Sequence, residues 1–223
     1  MPIYLPDKLH EHDDEKPSSD DPFGIQQECS REEMSSEKLS YALTLPFNPN
    51  LTTTIFNLEK FEDLDVSEVR RYSAGMLLDV VGTLVPGGSN KFAPEVVEKL
   101  REIRAKMKVC IYSNSTRSQP IFDQLHIPVV KHAPPKPDPR GFERAAHQYL
   151  DLNPYSCVMV GDNLLTDGGA RQVGMKLVLV NPLPGTEGLK HKLSRGYGRL
   201  VKRVHDRIYG TDDTAKKEMK QLR

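Results

Sequence analysis

Short apolar runs alternate with longer amphipathic segments through the middle of the chain. Buried strands are predicted where apolar residues are continuous, at 76–78, 109–112, 156–160 and 177–180. Between the first two runs, residues from about 94 to 107 repeat apolar side chains at helical spacing and begin with a proline suited to a first helical turn. Strands that alternate with helices predict right-handed crossovers and a parallel sheet with helices on both faces. The fold class is therefore α/β.

Cap residues predict further elements. Ser118 begins a helix that reaches Leu125, and Asp138 caps a helix with a proline in its first turn. A short third strand is expected at 128–130, and a helix that ends at Gly174 precedes the last strand.

Composition divides the chain into segments. They are an acidic N-terminal extension at 1–40, a lead-in at 41–74, an α/β domain at 75–188, a basic amphipathic helix at 189–210 and a polar tail at 211–223. The extension is too polar to bury a core, so it is expected to be disordered. Within the lead-in, residues 65–69 predict a short helix.

Charge and cysteine content narrow the function classes. The 31 basic and 31 acidic residues cancel, so no overall field favours nucleic acid, and no nucleic acid partner is expected. Three cysteines without metal-ligand spacing fit a reducing compartment. No apolar stretch approaches the ~20 residues that span a bilayer, and the first residues lack the pattern of a secretion signal or transit peptide. A cytoplasmic location is therefore expected.

Polar side chains follow the predicted strands where each one ends. Asp79 ends the first run, Ser113 follows the second, Lys136 lies in a proline-rich loop, and Asp162 and Asp167 follow the run at 156–160. The carboxyl ends of parallel strands share one edge, where ligands bind near the point at which strand order reverses. We expect these side chains to converge there around a phosphate and a divalent cation.

Asp79 is the candidate nucleophile that attacks phosphorus and becomes an aspartyl phosphate. The alternative is an aspartate that caps a turn at the end of a strand, but the other clusters favour the nucleophile. Gly82 allows main chain to approach a phosphate, and Thr83 brings a hydroxyl. Ser113 and Asn114 can donate a hydroxyl and amides to phosphate oxygens, although such a turn is also common loop chemistry.

The remaining charged residues predict a Mg²⁺ site. Mg²⁺ takes carboxylate and carbonyl oxygens, so Asp79 and Asp162 are candidate ligands, with a main-chain carbonyl completing the protein set. Lys136 is expected to neutralise the charge of the phosphate and of Asp79. Asp167 would lie in the outer shell of the metal or orient Lys136; the alternative is that it only caps a helix.

Taken in order, these residues resemble the four motifs of haloacid-dehalogenase-type phosphatases over roughly Gly75 to Gly210. The residues within and around these motifs resemble the class IIIA, phosphatidylglycerophosphate phosphatase-like branch of that family, at 112–114, 136–142, 161–167 and 180–183. The resemblance implies a Rossmannoid three-layer sandwich without a large cap domain. It also implies Mg²⁺-dependent removal of the terminal phosphate from phosphatidylglycerophosphate, with a mitochondrial location if the source is eukaryotic.

Val81 departs from the resembled pattern. The family has an aspartate two residues after the nucleophile, which protonates the leaving alcohol and later activates water. Valine keeps only the main-chain carbonyl expected to bind the metal, and losing such an acid and base costs roughly 10²–10⁴-fold in rate. Three alternatives follow: an impaired phosphatase, an enzyme whose acid comes from elsewhere with His132 as candidate, or a phosphate-binding or regulatory protein without turnover.

The spacing of the clusters leaves no room for a separate cap domain. An open edge suits a large or membrane-embedded phosphate ester, such as a phosphorylated glycerolipid, better than a small enclosed metabolite.

The C-terminal segment suggests a second partner. Its apolar residues at helical spacing are Leu193, Tyr197, Leu200, Val201, Val204 and Ile208, and its basic residues are Arg195, Arg199, Lys202, Arg203 and Arg207. Such a helix can lie on an anionic membrane surface, or its apolar stripe can pack against the domain. RNA binding is disfavoured because no aromatic platform is interleaved with the basic residues.

Overall fold

The predicted apolar runs form strands of one parallel sheet. The computed structural model describes residues 36–115, 120–185 and 188–209. The sheet has the order β1-β5-β4-β2-β3. Its strands are β1 (Phe56–Leu58), β2 (Gly75–Leu78), β3 (Lys108–Ile111), β4 (Cys157–Gly161) and β5 (Lys176–Val180).

Helices cover both faces of this sheet. The α-helices are α1 (Ser36–Thr44), α2 (Val66–Val69), α3 (Pro94–Lys106), α4 (Pro120–Gln124), α5 (Pro139–Arg144) and α6 (Leu189–Tyr209). A π-helical turn, Ala145–Leu150, continues α5, and a 3₁₀ helix, Asp167–Val173, connects β4 to β5. Two apolar cores result, one on each face of the sheet. The α/β fold class and the three-layer arrangement are confirmed.

The register of β2 sets the level of the site. Leu78 is paired with Ile111 of β3 on one side and with Val160 of β4 on the other. The residues that follow these strands therefore emerge side by side. Strand order also reverses at β2, because β3 lies on one side of it and β4 on the other, so a ligand site is expected there.

Local sequence explains where several elements begin and end. Asp65 caps α2 by accepting hydrogen bonds from the main-chain N–H groups of Ser67 and Glu68. Asp138 caps α5, as predicted, by accepting from the Arg140 N–H. Gly174, with φ of 78°, ends the 3₁₀ helix in the left-handed conformation that glycine adopts without steric cost.

Some predicted boundaries are wrong. The lead-in is part of the domain, because β1 pairs with β5 and Phe61 and Leu64 join the core. Residues 128–130 form only one bridge, between Val129 and Ile111, rather than a strand. Helix α1 (Ser36–Thr44) overlaps the end of the predicted extension, and its Tyr41 is buried in the domain.

Other predictions fall outside the described residues. These are Ser118, the remainder of the predicted extension at 1–35 and the tail at 211–223. Within the described ranges, no helix combines the length and apolar character needed to cross a bilayer.

Candidate functional site

Three buried carboxylates converge at the carboxyl edge of the sheet. Asp79 follows β2, Asp162 follows β4, and Asp167 begins the next 3₁₀ helix. One oxygen from each lies within 4.8 Å of the others. Asp167 is fully buried, and the other two are at most 8% exposed. The structure therefore brings together the carboxylates that the sequence predicted to be neighbours.

Lys136 lies between two of these carboxylates. Its Nζ donates to Asp79 Oδ1 at 2.7 Å and to Asp167 Oδ1 at 2.5 Å. Burial alone would lower the pKa of Lys136, but the charges of Asp167 and Asp79 outweigh that effect and raise the pKa above its ordinary value. The ammonium therefore stays protonated and joins Asp167 to Asp79.

Two side chains after β3 hold the loop that carries Lys136. The Asn114 amide donates to the Lys136 carbonyl at 3.0 Å, and its oxygen accepts from the Lys136 N–H at 2.7 Å. The Tyr112 hydroxyl donates to the Pro134 carbonyl at 2.6 Å. The Asn114 side chain thus positions Lys136, a role that the sequence did not indicate. A contact of Asn114 with phosphate stays a prediction.

Asp162 contacts both a hydroxyl and a guanidinium. Its Oδ1 accepts from the Thr83 hydroxyl at 3.2 Å, and its Oδ2 forms an ion pair with Nε of Arg195. The ion pair is close but lacks the alignment of a hydrogen bond. Burial, followed by the charges of Asp79 and Asp167, raises the pKa of Asp162 to about 8.

Asp167 is held by donors on both sides. Its Oδ1 accepts from Lys136, and its Oδ2 accepts from the Asn163 N–H at 3.0 Å. Burial is the largest influence on the pKa of Asp167 and raises it to about 6, against the opposing charge of Lys136. The prediction that Asp167 orients Lys136 agrees with these contacts.

The site fits a divalent cation. Three carboxylates face two cations, Lys136 and Arg195, so one negative charge is left when all are ionised. Burial is the largest cause of the raised pKa of Asp162, and the charges of Asp79 and Asp167 raise it further. A proton or a metal ion would relieve this excess of negative charge. Carboxylate oxygens are ligands that Mg²⁺ prefers, and Asp79 and Asp162 could supply them.

We expect the metal-free chain to lose stability as pH rises from about 5 to 8. The pKa values of Asp162 and Asp167 in the folded state are about 8 and about 6, against ordinary values of 3.8. The folded protein therefore holds more protons than the unfolded chain, and its free energy of unfolding falls as these protons leave. Urea denaturation with a chelator at both ends of this range measures the change.

A substitution isolates the carboxylate responsible. Asp162→Asn removes the titrating group with the largest shift, so the pH dependence should become smaller. The control is Asp151→Asn, because Asp151 is exposed and its left-handed backbone suits asparagine. If the free energy of unfolding depended on pH equally in the natural chain and in Asp162→Asn, Asp162 could not be the carboxylate responsible.

Gly82 lets the main chain pass close to Asp162. Its φ is 89°, and a Cβ added there would lie 2.8 Å from Asp162 Oδ2 and would overlap Arg195. The loop after β2 therefore requires glycine at this position. Val81, just before it, is half-buried, and its main-chain carbonyl remains a predicted metal ligand.

Two other predicted residues, Ser113 and His132, are less buried than the carboxylates. Ser113 is half-buried, and its hydroxyl accepts from the Ser115 N–H at 3.3 Å. His132, the candidate substitute acid, is exposed, whereas Asp79 is buried. This position gives no support to His132 as the missing acid.

Arg195 is the site residue that sequence reasoning missed. It belongs to α6, and its side chain is buried against Asp162. The Asn163 amide donates to the Ser194 hydroxyl at 3.1 Å, and a Cβ added at Gly198 would lie 3.1 Å from Leu164 Cβ. Gly198 therefore allows α6 to pack closely on the loop after β4, and this contact directs Arg195 into the site.

The orientation of α6 corrects one predicted alternative. The predicted apolar stripe packs against the domain only in part: Tyr197 and Val201 contact the core, whereas Leu193, Leu200 and Ile208 are 64%, 58% and 65% exposed. The rest of the buried face carries Arg195, Gly198, Lys202 and His205.

Comparisons with known proteins agree with the site. A sequence profile of haloacid dehalogenase-like hydrolases matches residues 47–174. The probable phosphatase YqeG of Bacillus subtilis (strain 168) is 33% identical over 132 residues, which are 57% of this chain and 75% of that protein. The profile begins within the lead-in and includes Asp79, Lys136, Asp162 and Asp167.

Two solved structures are similar over part of the chain. An uncharacterized protein from Corynebacterium glutamicum shares 18% identity at a TM-score of 0.37, covering 56% of this chain and 95% of its own. The core domain of a candidate phosphoglycolate phosphatase from Streptococcus pneumoniae TIGR4 shares 20% identity at a TM-score of 0.35, with the same two coverages of 56% and 95%. Both TM-scores are too low to support a conclusion about this chain.

Proposed function

Because the chain belongs to the haloacid dehalogenase-like hydrolase family, we propose that it is a Mg²⁺-dependent phosphatase with Asp79 as nucleophile. The observation that carries the proposal is the convergence of Asp79, Asp162 and Asp167 around Lys136. The name of the relative YqeG, a probable phosphatase, supports the same reaction.

The proposed reaction has two steps. A carboxylate oxygen of Asp79 attacks phosphorus, the bond from phosphorus to the ester oxygen breaks, and the alcohol leaves with a proton taken from water. Water then attacks the aspartyl phosphate, which releases inorganic phosphate and restores Asp79. Lys136 holds Asp79 in place, while Gly82, Thr83 and Ser113 are the proposed phosphate contacts. Bound Mg²⁺ would offset the charge of the phosphate.

Val81 limits the proposed rate. The side chain can neither protonate the leaving alcohol nor activate water, so solvent must do both. The proton-transfer catalysis that is lost is worth roughly 10²–10⁴-fold. The proposal therefore includes slow turnover and an aspartyl phosphate that outlives the first step.

Val81→Asp is expected to raise phosphate release by about 10²-fold, because it introduces a carboxyl two residues after Asp79. The measurement is the rate of phosphate release with Mg²⁺ from phosphatidylglycerophosphate in mixed micelles. The matched control is Val81→Asn, because asparagine has nearly the same shape as aspartate but cannot act as an acid or a base. A control at Val85 would be unsuitable, since Val85 is buried. If only Val81→Asp releases phosphate, the natural chain is a phosphate-binding protein rather than a phosphatase.

Phosphatidylglycerophosphate is the proposed substrate. In the described residues after β2 and β3, no separate domain covers the site, so the headgroup of a membrane lipid could reach it. The exposed stripe of α6, defined as Leu189, Leu193, Leu200, Val204 and Ile208, would rest on an anionic membrane surface. Exposed Lys192, Arg203 and Arg207 on the same helix match the sign of such a surface.

Neutralising two of these cations should weaken membrane binding. We expect Arg203→Gln with Arg207→Gln to reduce binding to phosphatidylglycerol vesicles by roughly tenfold or more, because each such charge contributes about 1 kcal/mol near an anionic surface. Co-sedimentation measures the effect. The control pair is Arg101→Gln with Arg104→Gln, which removes the same charge from the exposed side of α3. Unchanged sedimentation of the α6 pair would exclude this surface.

A further inference from the structure

A small cavity lies beside the catalytic carboxylates, between α6 and the edge of the sheet. Its volume is about 100 Å³. The strand ends of β1 and β5 form one wall, through Asn57, Leu179 and Asn181, and α6 forms the other. Asp162 lines its inner end, so the cavity is next to the cluster that holds Asp79.

The wall formed by α6 is strongly basic. Arg195, Arg199 and Lys202 all line the cavity, and they recur on one side of the helix. Arg195 and Lys202 are each 8% exposed, whereas Arg199 is exposed at the outer end. Guanidinium and ammonium groups are donors only, so a cavity with three of them is suited to oxygens of an anion.

Each of these cations also has a protein contact. Arg195 pairs with Asp162, Lys202 contacts both oxygens of Asp206 at 3.1 Å, and Arg199 donates to Asn181 Oδ1 at 3.5 Å. An anion would share these cations with their present partners. The long Arg199 contact and its exposure make that side chain the most readily redirected toward a ligand.

The basic wall is held in place before any ligand binds. The Tyr197 hydroxyl donates to the Ala42 carbonyl at 2.8 Å, and buried His205 contacts the Thr52 hydroxyl at 3.0 Å. Together with the Ser194 contact to Asn163, these bonds fix α6 against two separate parts of the domain. Such preorganisation reduces the entropy lost when a ligand is bound.

We propose that this cavity is a subsite for a second phosphate of the substrate, next to the phosphate ester that is removed at Asp79. The inference rests on the proposed function and deepens it: the substrate class is a phosphate monoester that also carries a phosphodiester. Arg195 lies between the two sites because it touches Asp162 and also lines the cavity. Arg199 and Lys202 hold the diester, and the monoester lies at the carboxylate cluster.

Two soluble ligands test the subsite apart from the membrane. Glycerophosphoglycerol phosphate carries both phosphates, and glycerol 3-phosphate carries only the monoester. Calorimetry with Mg²⁺ on Asp79→Asn protein gives both dissociation constants without turnover. We expect Arg199→Gln to lower the ratio of the affinity for the double ester to that for the monoester about tenfold, as loss of one charge-assisted hydrogen bond predicts. Lys202→Gln should lower it similarly.

Matched variants make the outcome decisive. Arg70→Gln removes the same charge from an exposed position outside the cavity, so the ratio should not change. Arg199 is exposed, so its variant should fold even if Lys202→Gln does not. A ratio that Arg199→Gln leaves unchanged, or a parent protein that binds both ligands equally, would overturn the subsite while leaving the phosphatase proposal intact. Failure of both the Asp79→Asn protein and the natural chain to bind glycerol 3-phosphate with Mg²⁺ would overturn both.

Discussion

Asp79→Asn is expected to lower phosphate release by on the order of 10⁴-fold or more, because an amide cannot replace the carboxylate that attacks phosphorus. The substitution keeps the shape of the side chain, and its oxygen can still accept the hydrogen bond that Lys136 now donates to Asp79 Oδ1. The loss should therefore lie in turnover and not in folding. Steady-state phosphate release on phosphatidylglycerophosphate with Mg²⁺ measures it, in parallel with thermal unfolding.

An aspartate outside the site provides the control for that experiment. Asp151→Asn makes the same chemical change on the surface, where the side chain only approaches Lys108 at 3.9 Å. Its rate should match that of the natural chain. If Asp79→Asn kept the natural rate, Asp79 could not be the nucleophile.

Lys136→Met is expected to lower the free energy of unfolding by about 3–5 kcal/mol near pH 8, because it leaves buried carboxylates without their cation. Lys136 is 3% exposed and contacts both Asp79 and Asp167. The loss should be smaller near pH 5, where Asp167, whose pKa is about 6, can take up a proton. Urea denaturation of metal-free protein at the two pH values gives both quantities.

A surface lysine shows how much of that loss comes from burial. Lys106 pairs with Glu102 at 2.8 Å, but its side chain is 39% exposed. Lys106→Met should therefore cost less than about 1 kcal/mol at either pH. Similar losses for the two lysine variants would show that the buried cluster does not depend on Lys136.

The carboxylate cluster could be predicted because it depends on strand ends. Asp79 and Asp162 each follow a continuous apolar run, and parallel strands bring their carboxyl ends to one edge. Lys136 could be placed beside them because prolines confine its loop. Its two hydrogen bonds to Asn114 could not be predicted, because the two residues lie on different loops. Local pattern and sheet topology were sufficient for these residues.

The position of α6 could not be predicted from its periodicity. The periodicity left open whether the apolar stripe packs on the domain or lies on a membrane surface, and most of the stripe is exposed. The helix instead docks through the ion pair of Arg195 with Asp162, the contact of His205 with Thr52 and the close packing at Gly198. Contacts between segments that are distant in sequence leave no periodic signal, and the three residues of β1 are too few to show one.

Labelling of Asp79 tests the central claim most directly. Natural chain mixed with Mg²⁺ and phosphatidylglycerophosphate labelled on its terminal phosphate is quenched in acid, digested and analysed by mass spectrometry. Because Val81 leaves the second step without a positioned base, the account predicts a phosphorylated peptide with the phosphoryl group on Asp79, which Asp79→Asn protein lacks. Release of phosphate without any label on Asp79, or neither label nor release, would contradict it.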